Sequence, residues 1–228
     1  KESKEKEIEV RPEFFMIDMT NKCNLRCNYC LRNLEQEENC ISTEKLRDIG
    51  KFITTYCDEY KIANISVQAW GGEPLLEKNK IIALTKFITP QKTKVHYSIE
   101  TNATLLTNDV IEELYKNHIG IGISIDGDRK CHDLQRTFVS GKGSYDTVKK
   151  NLLQAQRYYK NKIGTITTIT KQTAVHIEKI IEHLVLDLHI SNIKLNFVHA
   201  STYTHGQNQC LNTQEIADTE LRILYKII

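Results

Sequence analysis

Three cysteines, Cys23, Cys27 and Cys30, stand four and then three residues apart in the run Thr20-Asn21-Lys22-Cys23-Asn24-Leu25-Arg26-Cys27-Asn28-Tyr29-Cys30. Thiolate sulfur is a soft ligand that suits iron–sulfur clusters and zinc, and a loop with this spacing can curl three thiolates around one metal centre. A four-iron cluster has four corners, so three protein ligands leave one iron open to a substrate or cofactor. Zinc is the competing reading. A closed structural zinc site takes four ligands, and no second Cys-x2-Cys pair or nearby His offers the fourth.

Further groups able to bind or react recur along the chain. In Trp70-Gly71-Gly72-Glu73-Pro74-Leu75-Leu76 two glycines let backbone approach a ligand closely, and carbonyls beside a carboxylate suit an ammonium group. A tight strand-to-helix turn explains the same residues. The segment Ser98-Ile99-Glu100-Thr101-Asn102-Ala103-Thr104-Leu105-Leu106 offers polar groups facing solvent or a ligand, and a Cβ at Ala103 disfavours positive φ there. Ser124-Ile125-Asp126-Gly127 is followed by His132, Asp133 and Arg136, then by Gly141-Lys142-Gly143-Ser144. The Arg136 guanidinium matches a carboxylate in two places, or it makes a surface ion pair. His132 and Asp133 fix their loop or touch a substrate. Of the other cysteines, Cys57 falls in a helix-period stretch and reads as a core thiol. Cys40, Cys131 and Cys210 read as isolated loop residues, Cys131 overhanging the cavity.

These groups need a frame. Strand-like runs are expected at Phe14–Met19, Asn64–Ala69, Lys94–Ile99, Ile119–Ile125, Thr165–Thr170 and Asn192–Val198. Helix-period stretches lie at Thr43–Tyr60, Asn79–Ile88, Asn108–Asn117, Ser144–Tyr159 and Val175–Leu188, with another from Thr213 onward. Ser42 or Thr43 caps the first and Asn108 the third. Alternating strand and helix predicts an α/β fold with a parallel sheet. Periodicity leaves a barrel and an open doubly wound sheet both possible. In either, ligands bind at the carboxyl ends of strands, where each motif falls.

The cysteine run resembles the cluster signature of the radical S-adenosylmethionine (SAM) enzymes, Cys-x3-Cys-x2-Cys with an aromatic, here Tyr29, before the last cysteine. The resemblance implies a partial (β/α)6 barrel with outer helices. It also implies a 4Fe-4S cluster on Cys23, Cys27 and Cys30 whose open iron takes the methionine end of SAM. Reductive cleavage of SAM then yields a 5′-deoxyadenosyl radical that abstracts hydrogen from a substrate. By the same resemblance Gly71, Gly72 and Glu73 grip the SAM amino group, Asn102 lies at the cofactor, Ser124 reaches the ribose and Arg136 the carboxylate. Leu195-Asn196-Phe197-Val198 would lie near the adenine, though an alternating strand face explains them equally. The ordered motifs from Ser124 to Ser144 are similar to the branch that matures peptides and proteins and usually carries a C-terminal SPASM domain with auxiliary clusters. That region is absent from these residues, so a piece of a longer chain is expected, with residues 14–228 as the catalytic domain. A peptide is the expected substrate, above all the precursor of a ribosomally made, post-translationally modified product (RiPP) to be crosslinked. The alternatives are anaerobic sulfatase maturation, small-molecule modification, and, in another class, a zinc-stabilised binding module. A flavodoxin or ferredoxin reductant is implied.

Composition agrees with that frame. The 228 residues suffice for one large α/β domain or two small ones. A net charge of +2, from 31 basic and 29 acidic residues, gives no electrostatic footprint for nucleic acid. No apolar run approaches the ~20 residues of a membrane span, and no signal peptide is visible. Seven cysteines, an odd number, read as reduced thiols in a cytoplasmic setting. Residues 1–13 open with alternating charges and read as a solvated lead-in.

Overall fold

A computed structural model describes residues 11–32, 39–198 and 209–227. Residues 1–10 of the charged lead-in and the last residue, Ile228, lie outside the described residues. Six parallel strands form one sheet: β1 Phe14–Thr20, β3 Asn64–Gly71, β4 Lys94–Thr101, β5 Ile119–Ser124, β7 Gly164–Ile169 and β8 Ile193–Phe197. Each pairs with the next in chain order.

That order never reverses. Right-handed crossovers between successive neighbours put every helix on one face, whereas a doubly wound sheet needs a reversal point. The strands carry the same information in their side chains. In β5 the isoleucines Ile119, Ile121 and Ile123 are buried while Gly120, Gly122 and Ser124 are only half-buried. In β3, Ile65, Val67 and Ala69 are buried against helices and Ser66 and Gln68 turn to the other face. A parallel strand covered on both faces would be apolar throughout. This sheet is covered on one face and curls around the other, giving the partial barrel.

The outer layer begins with α1, Thr43–Tyr60, capped by Ser42, whose hydroxyl accepts from the Lys45 N–H at 3.1 Å. It continues with α2 Lys78–Phe87, entered by a 3-10 turn Pro74–Glu77, then α3 Asn108–Lys116, whose N-cap is Thr107 rather than Asn108. The helix α5 spans Tyr145–Tyr159. Leu46, Ile53, Ile82, Leu84, Ile111, Leu114, Val148 and Leu152 seal these helices to the sheet. The single helix expected over Val175–Leu188 is instead two pieces, α7 Ile177–Glu182 and a π-helical turn His183–Asp187, preceded by a short unexpected helix, α6 Lys171–Ala174. Thr170 does not extend β7; it caps α6 in a reciprocal capping box with Thr173. The final helix, α8 Thr213–Ile227, packs on α7 and leaves Leu221, Leu224 and Tyr225 exposed.

Three short elements have no counterpart in the expected pattern. They are β2 Leu25–Cys27, α4 Arg129–Gln135 and β6 Arg136–Phe138, of which β2 and β6 pair as a small antiparallel ribbon. Among the described residues no helix is long and apolar enough to cross a membrane.

Candidate active site

The cysteine loop leaves the carboxyl end of β1 and is clasped by the end of β3. The Gly72 N–H donates to the Thr20 carbonyl at 2.7 Å and the Glu73 N–H to the Lys22 carbonyl at 2.8 Å. A Cβ on Gly72 would stand 2.2 Å from the Lys22 carbonyl oxygen, and one on Gly71 2.5 Å from that of Thr20. The two glycines thus admit the cysteine loop itself, a close approach of chain to chain. The ribbon clasps the loop's other side, with Arg136 opposite Cys27, and the Asn28 N–H donates to the Gln135 carbonyl at 3.0 Å.

Behind the ribbon one carboxylate gathers the loop, β5 and β7. Asp126, fully buried just past β5, accepts from the Tyr29 hydroxyl at 2.7 Å and from Arg136 Nε at 2.8 Å on Oδ2. On Oδ1 it accepts from the Thr168 N–H at 2.9 Å. Arg136 is buried, its guanidinium carbon 5.4 Å from the centroid of the Tyr29 ring, so of its two readings the surface ion pair does not hold. Burial works against the charge on Arg136, and the Asp126 carboxylate beside it outweighs that cost, raising the pKa and keeping the guanidinium charged. Burial pushes the Cys27 thiol up to about 12, with the Arg136 charge acting in the opposite direction. A metal must therefore displace a firmly held proton there.

The second brace descends from the ends of β3 and β4. Glu73 is fully buried and its carboxylate accepts three bonds, from the Leu75 N–H at 3.0 Å, the Thr101 hydroxyl at 2.7 Å and the Asn102 N–H at 2.8 Å. Desolvation raises its pKa against those bonds. Asn102 turns inward to the cysteine loop, donating to Asn24 Oδ1 at 2.9 Å and lying 3.8 Å from Cys23 Sγ. Ala103 adopts a left-handed φ of 59°, so the methyl group did not shift this turn to another conformation. Its carbonyl accepts from Asn151 Nδ2 at 2.8 Å.

His132 and Asp133 fix their loop. His132 is fully buried, accepts the Asp126 N–H on Nδ1 at 3.3 Å, and meets the Ser144 hydroxyl at Nε2, 2.9 Å away. Asp133 Oδ1 accepts from the Tyr145 N–H at 2.8 Å. Cys131 sits on α4 inside the hydrophobic core and does not overhang a cavity; burial raises its pKa to about 12. Cys57 is a core thiol as expected. Cys40 is exposed beside Thr20, with Lys80 Nζ 3.3 Å from its sulfur, and Cys210 is partly buried.

A cleft of about 500 Å³ opens beside the loop, lined by Cys23, Tyr29 and Cys30, by Gly71 and Gly72, and by Leu195 to Val198 across the opening. Ser124 ends β5, half-buried, outside that lining. Leu31, Arg32 and Thr168, outside every motif, also line it. Trp70 stands on the lip with the Arg32 guanidinium 4.5 Å from its ring, and Arg32 in turn donates to Asp18 at 2.8 Å. A cleft of this size suits a nucleoside-sized ligand, since small-molecule sites span roughly 300–1,000 Å³. Among the described residues no three His, Cys, Asp or Glu side chains gather as ligands of one ion, which a zinc site demands. Thiolates on separate irons of a cluster need not converge on a point.

The fold and site define an α/β enzyme class: a one-sided parallel half-barrel with a braced three-thiol loop over its carboxyl-end cleft. The chain belongs to the Radical SAM superfamily, whose family model matches residues 17–184. It is similar, at 30% identity over 168 residues, to a cysteine-type anaerobic sulfatase-maturating enzyme of Clostridium novyi, covering 71% of this chain and 44% of that one. A serine-type enzyme of the same name from Bacteroides thetaiotaomicron is 32% identical over 154 residues, 63% of this chain and 36% of the relative. Among solved structures, anSMEcpe with bound AdoMet and Cp18Cys peptide superposes with a TM-score of 0.82 at 22% identity, covering 95% of this chain and 59% of that one. Streptococcus suis SuiB bound to precursor peptide SuiA gives 0.72 at 19% identity, with coverages of 93% and 45%. The chain spans about half the length of the curated relatives it matches. Family membership sets the zinc-stabilised binding module aside.

Proposed function

We propose that this chain is the catalytic half-barrel of a peptide-modifying radical SAM enzyme, with Cys23, Cys27 and Cys30 as ligands of a 4Fe-4S cluster. The observation that carries the reading is the three-cysteine loop, braced from both sides, beside a cleft large enough for SAM. When bound, cluster and SAM supply a 5′-deoxyadenosyl radical able to abstract hydrogen from a substrate. The protein's part is to hold, orient and shield. Gly71 and Gly72 turn backbone toward the cleft, where their carbonyls suit the SAM ammonium group. Glu73 acts through Asn102 and Thr101, its oxygens being engaged within the fold. Tyr29 closes the floor, tethered to Asp126. Arg136 keeps its Nη atoms for the SAM carboxylate while Nε holds Asp126. Ser124 is assigned to the ribose, and Leu195, Phe197 and Val198 offer an apolar surface for the adenine. A radical chemistry of this kind runs in a reducing, cytoplasmic setting with a flavodoxin- or ferredoxin-type electron donor.

For the substrate, the motifs from Ser124 to Ser144 favour a RiPP precursor that is crosslinked. The relatives, sulfatase-maturating enzymes of cysteine and serine type, favour oxidation of a Cys or Ser in a sulfatase peptide. The decisive experiment is anaerobic reconstitution with iron and sulfide quantitation and SAM cleavage, on wild type and Cys27→Ala. Wild type is expected to bind about four irons and to release 5′-deoxyadenosine, and the variant to lose both. Absence of iron and of SAM cleavage in wild type would overturn the proposal, and iron well above four would place further clusters on other cysteines. Incubation with a sulfatase-derived peptide and with a precursor peptide, read by mass spectrometry, then separates the two substrates.

A further inference from the structure

Asn102 is held in a closed ring of hydrogen bonds that leaves its amide one orientation. Its Oδ1 accepts from the Thr104 N–H at 2.9 Å and from the Thr104 hydroxyl at 2.7 Å. The same hydroxyl accepts from Asn24 Nδ2 at 2.7 Å, and Asn24 Oδ1 accepts from Asn102 Nδ2 at 2.9 Å. A backbone N–H can only donate, so the Thr104 amide fixes which end of the Asn102 side chain is oxygen. The nitrogen therefore faces the cysteine loop. One of its two hydrogens goes to Asn24, and the other is directed at Cys23 Sγ, 3.8 Å away, a reach the larger sulfur atom allows. A second donor, the Leu25 N–H, approaches the same sulfur at 3.5 Å. Asn102 is almost fully buried, and its own N–H is anchored on the buried Glu73 carboxylate, so neither salt nor rotation relaxes the arrangement.

We infer that Asn102 is a positioning residue that sets the reduction potential of the cluster through its N–H donated to the Cys23 thiolate. The inference rests on the cluster assignment above and goes beyond it by giving Asn102 a task on the protein side of the metal, where the sequence suggests a SAM contact. Reduction adds one negative charge to the cluster and its thiolates. A donor pointed at one sulfur stabilises that extra charge more than the oxidised form, which raises the potential. No proton or atom is transferred in this effect; the donor bond strengthens in the reduced state.

The test is an EPR-monitored redox titration of the full chain, reconstituted anaerobically, for wild type, Asn102→Ala, Asn102→Asp and Asn24→Ala. At the wild-type midpoint the ratio of reduced to oxidised cluster is expected to fall about tenfold in Asn102→Ala, the scale of one hydrogen bond that differs between charge states. Tenfold corresponds to about 59 mV for one electron. Asn102→Asp, which keeps the shape but replaces a donor by a charged acceptor, is expected to fall further. Asn24→Ala, which opens the ring but leaves the sulfur its donor, is expected to stay near wild type. An unchanged midpoint in a fully loaded Asn102→Ala protein overturns the inference. So does an equal shift in Asn24→Ala, which would mark a structural effect of the ring, or the failure of both Asn102 variants to take up iron, which would make Asn102 a brace only. Absence of a cluster in wild type would instead remove the cluster assignment itself, a failure seen before any variant is compared.

Discussion

His132 shows how far burial governs a residue that a motif marks as reactive. With the Asp126 N–H on Nδ1, its Nε2 carries the proton toward Ser144, whose hydroxyl donates to the Arg136 carbonyl at 2.7 Å. Burial lowers its pKa from 6.5 to about 4. Between those values the unfolded chain binds a proton that the folded one refuses, so stability is present above pH 6.5 and is lost as pH falls toward 4. The loss by pH 4 is about 3 kcal/mol, at 1.36 kcal/mol per unit. Urea midpoints from pH 7 to 4.5 are expected to drop more steeply in wild type than in His132→Gln, and parallel curves would refute the assignment. Ala103 gives a second case at this scale. Its left-handed turn costs about 1 kcal/mol, which glycine would relieve, yet its fully buried methyl contributes about 0.8 kcal/mol. Ala103→Gly should therefore leave the thermal midpoint nearly unchanged. The sequence named the right residues at these strand ends but not always the right task. Gly71, Gly72 and Glu73, expected as ligand contacts, also clasp the cysteine loop or brace Asn102, because a residue that holds a ligand loop and one that touches the ligand occupy the same place in the chain. Asp126 stood inside the Ser124–Gly127 motif without a task, since its partners Tyr29 and Arg136 lie 97 and 10 residues away.

At the scale of elements, the β2–β6 ribbon and the β3 terminus hold the cysteine loop by backbone contacts, which a side chain cannot move aside to spare. Gly72→Ala puts a methyl into the Lys22 carbonyl and is expected to cost about 1–3 kcal/mol as overpacking. Iron uptake should fall while the far-UV circular dichroism of the sheet persists. Gly141→Ala is the matched control, because its Cβ would meet nothing within 4 Å and only its φ of 84° is strained. Equal loading of the two variants would show that the clasp is unimportant. Most strands and helices were legible to within a few residues, because their apolar periods are strong. The ribbon was not, since strands of three residues have too few positions to show a period. The half-barrel could have been read directly. Ile119-Gly120-Ile121-Gly122-Ile123-Ser124 alternates too cleanly for a strand covered on both faces.

Across the whole molecule, the cleft lies between the cysteine loop with the end of β3 on one side and β8, the last strand of the sheet, on the other, and its lip carries the only tryptophan of the chain. Trp70 is 38% exposed beneath Arg32, so filling the cleft should change its environment. SAM titrated into the reconstituted protein is expected to shift or quench the tryptophan emission, and Arg32→Ala to red-shift it without ligand. SAM bound by equilibrium dialysis with no spectral change would place the ligand elsewhere. The parallel series of strands also fixes an order in time. The thiols follow the first strand, whereas their supports arrive at residues 72–73, 102–104, 126 and 136–138, the ribbon joining Thr137 to Arg26 across 111 positions. Domains are synthesised from the N-terminus, and contacts this distant form only after the intervening chain exists. During synthesis the three thiols are therefore without their clasp until the fourth parallel strand and its ribbon are made, which leaves them open to oxidants and stray metal ions throughout that interval.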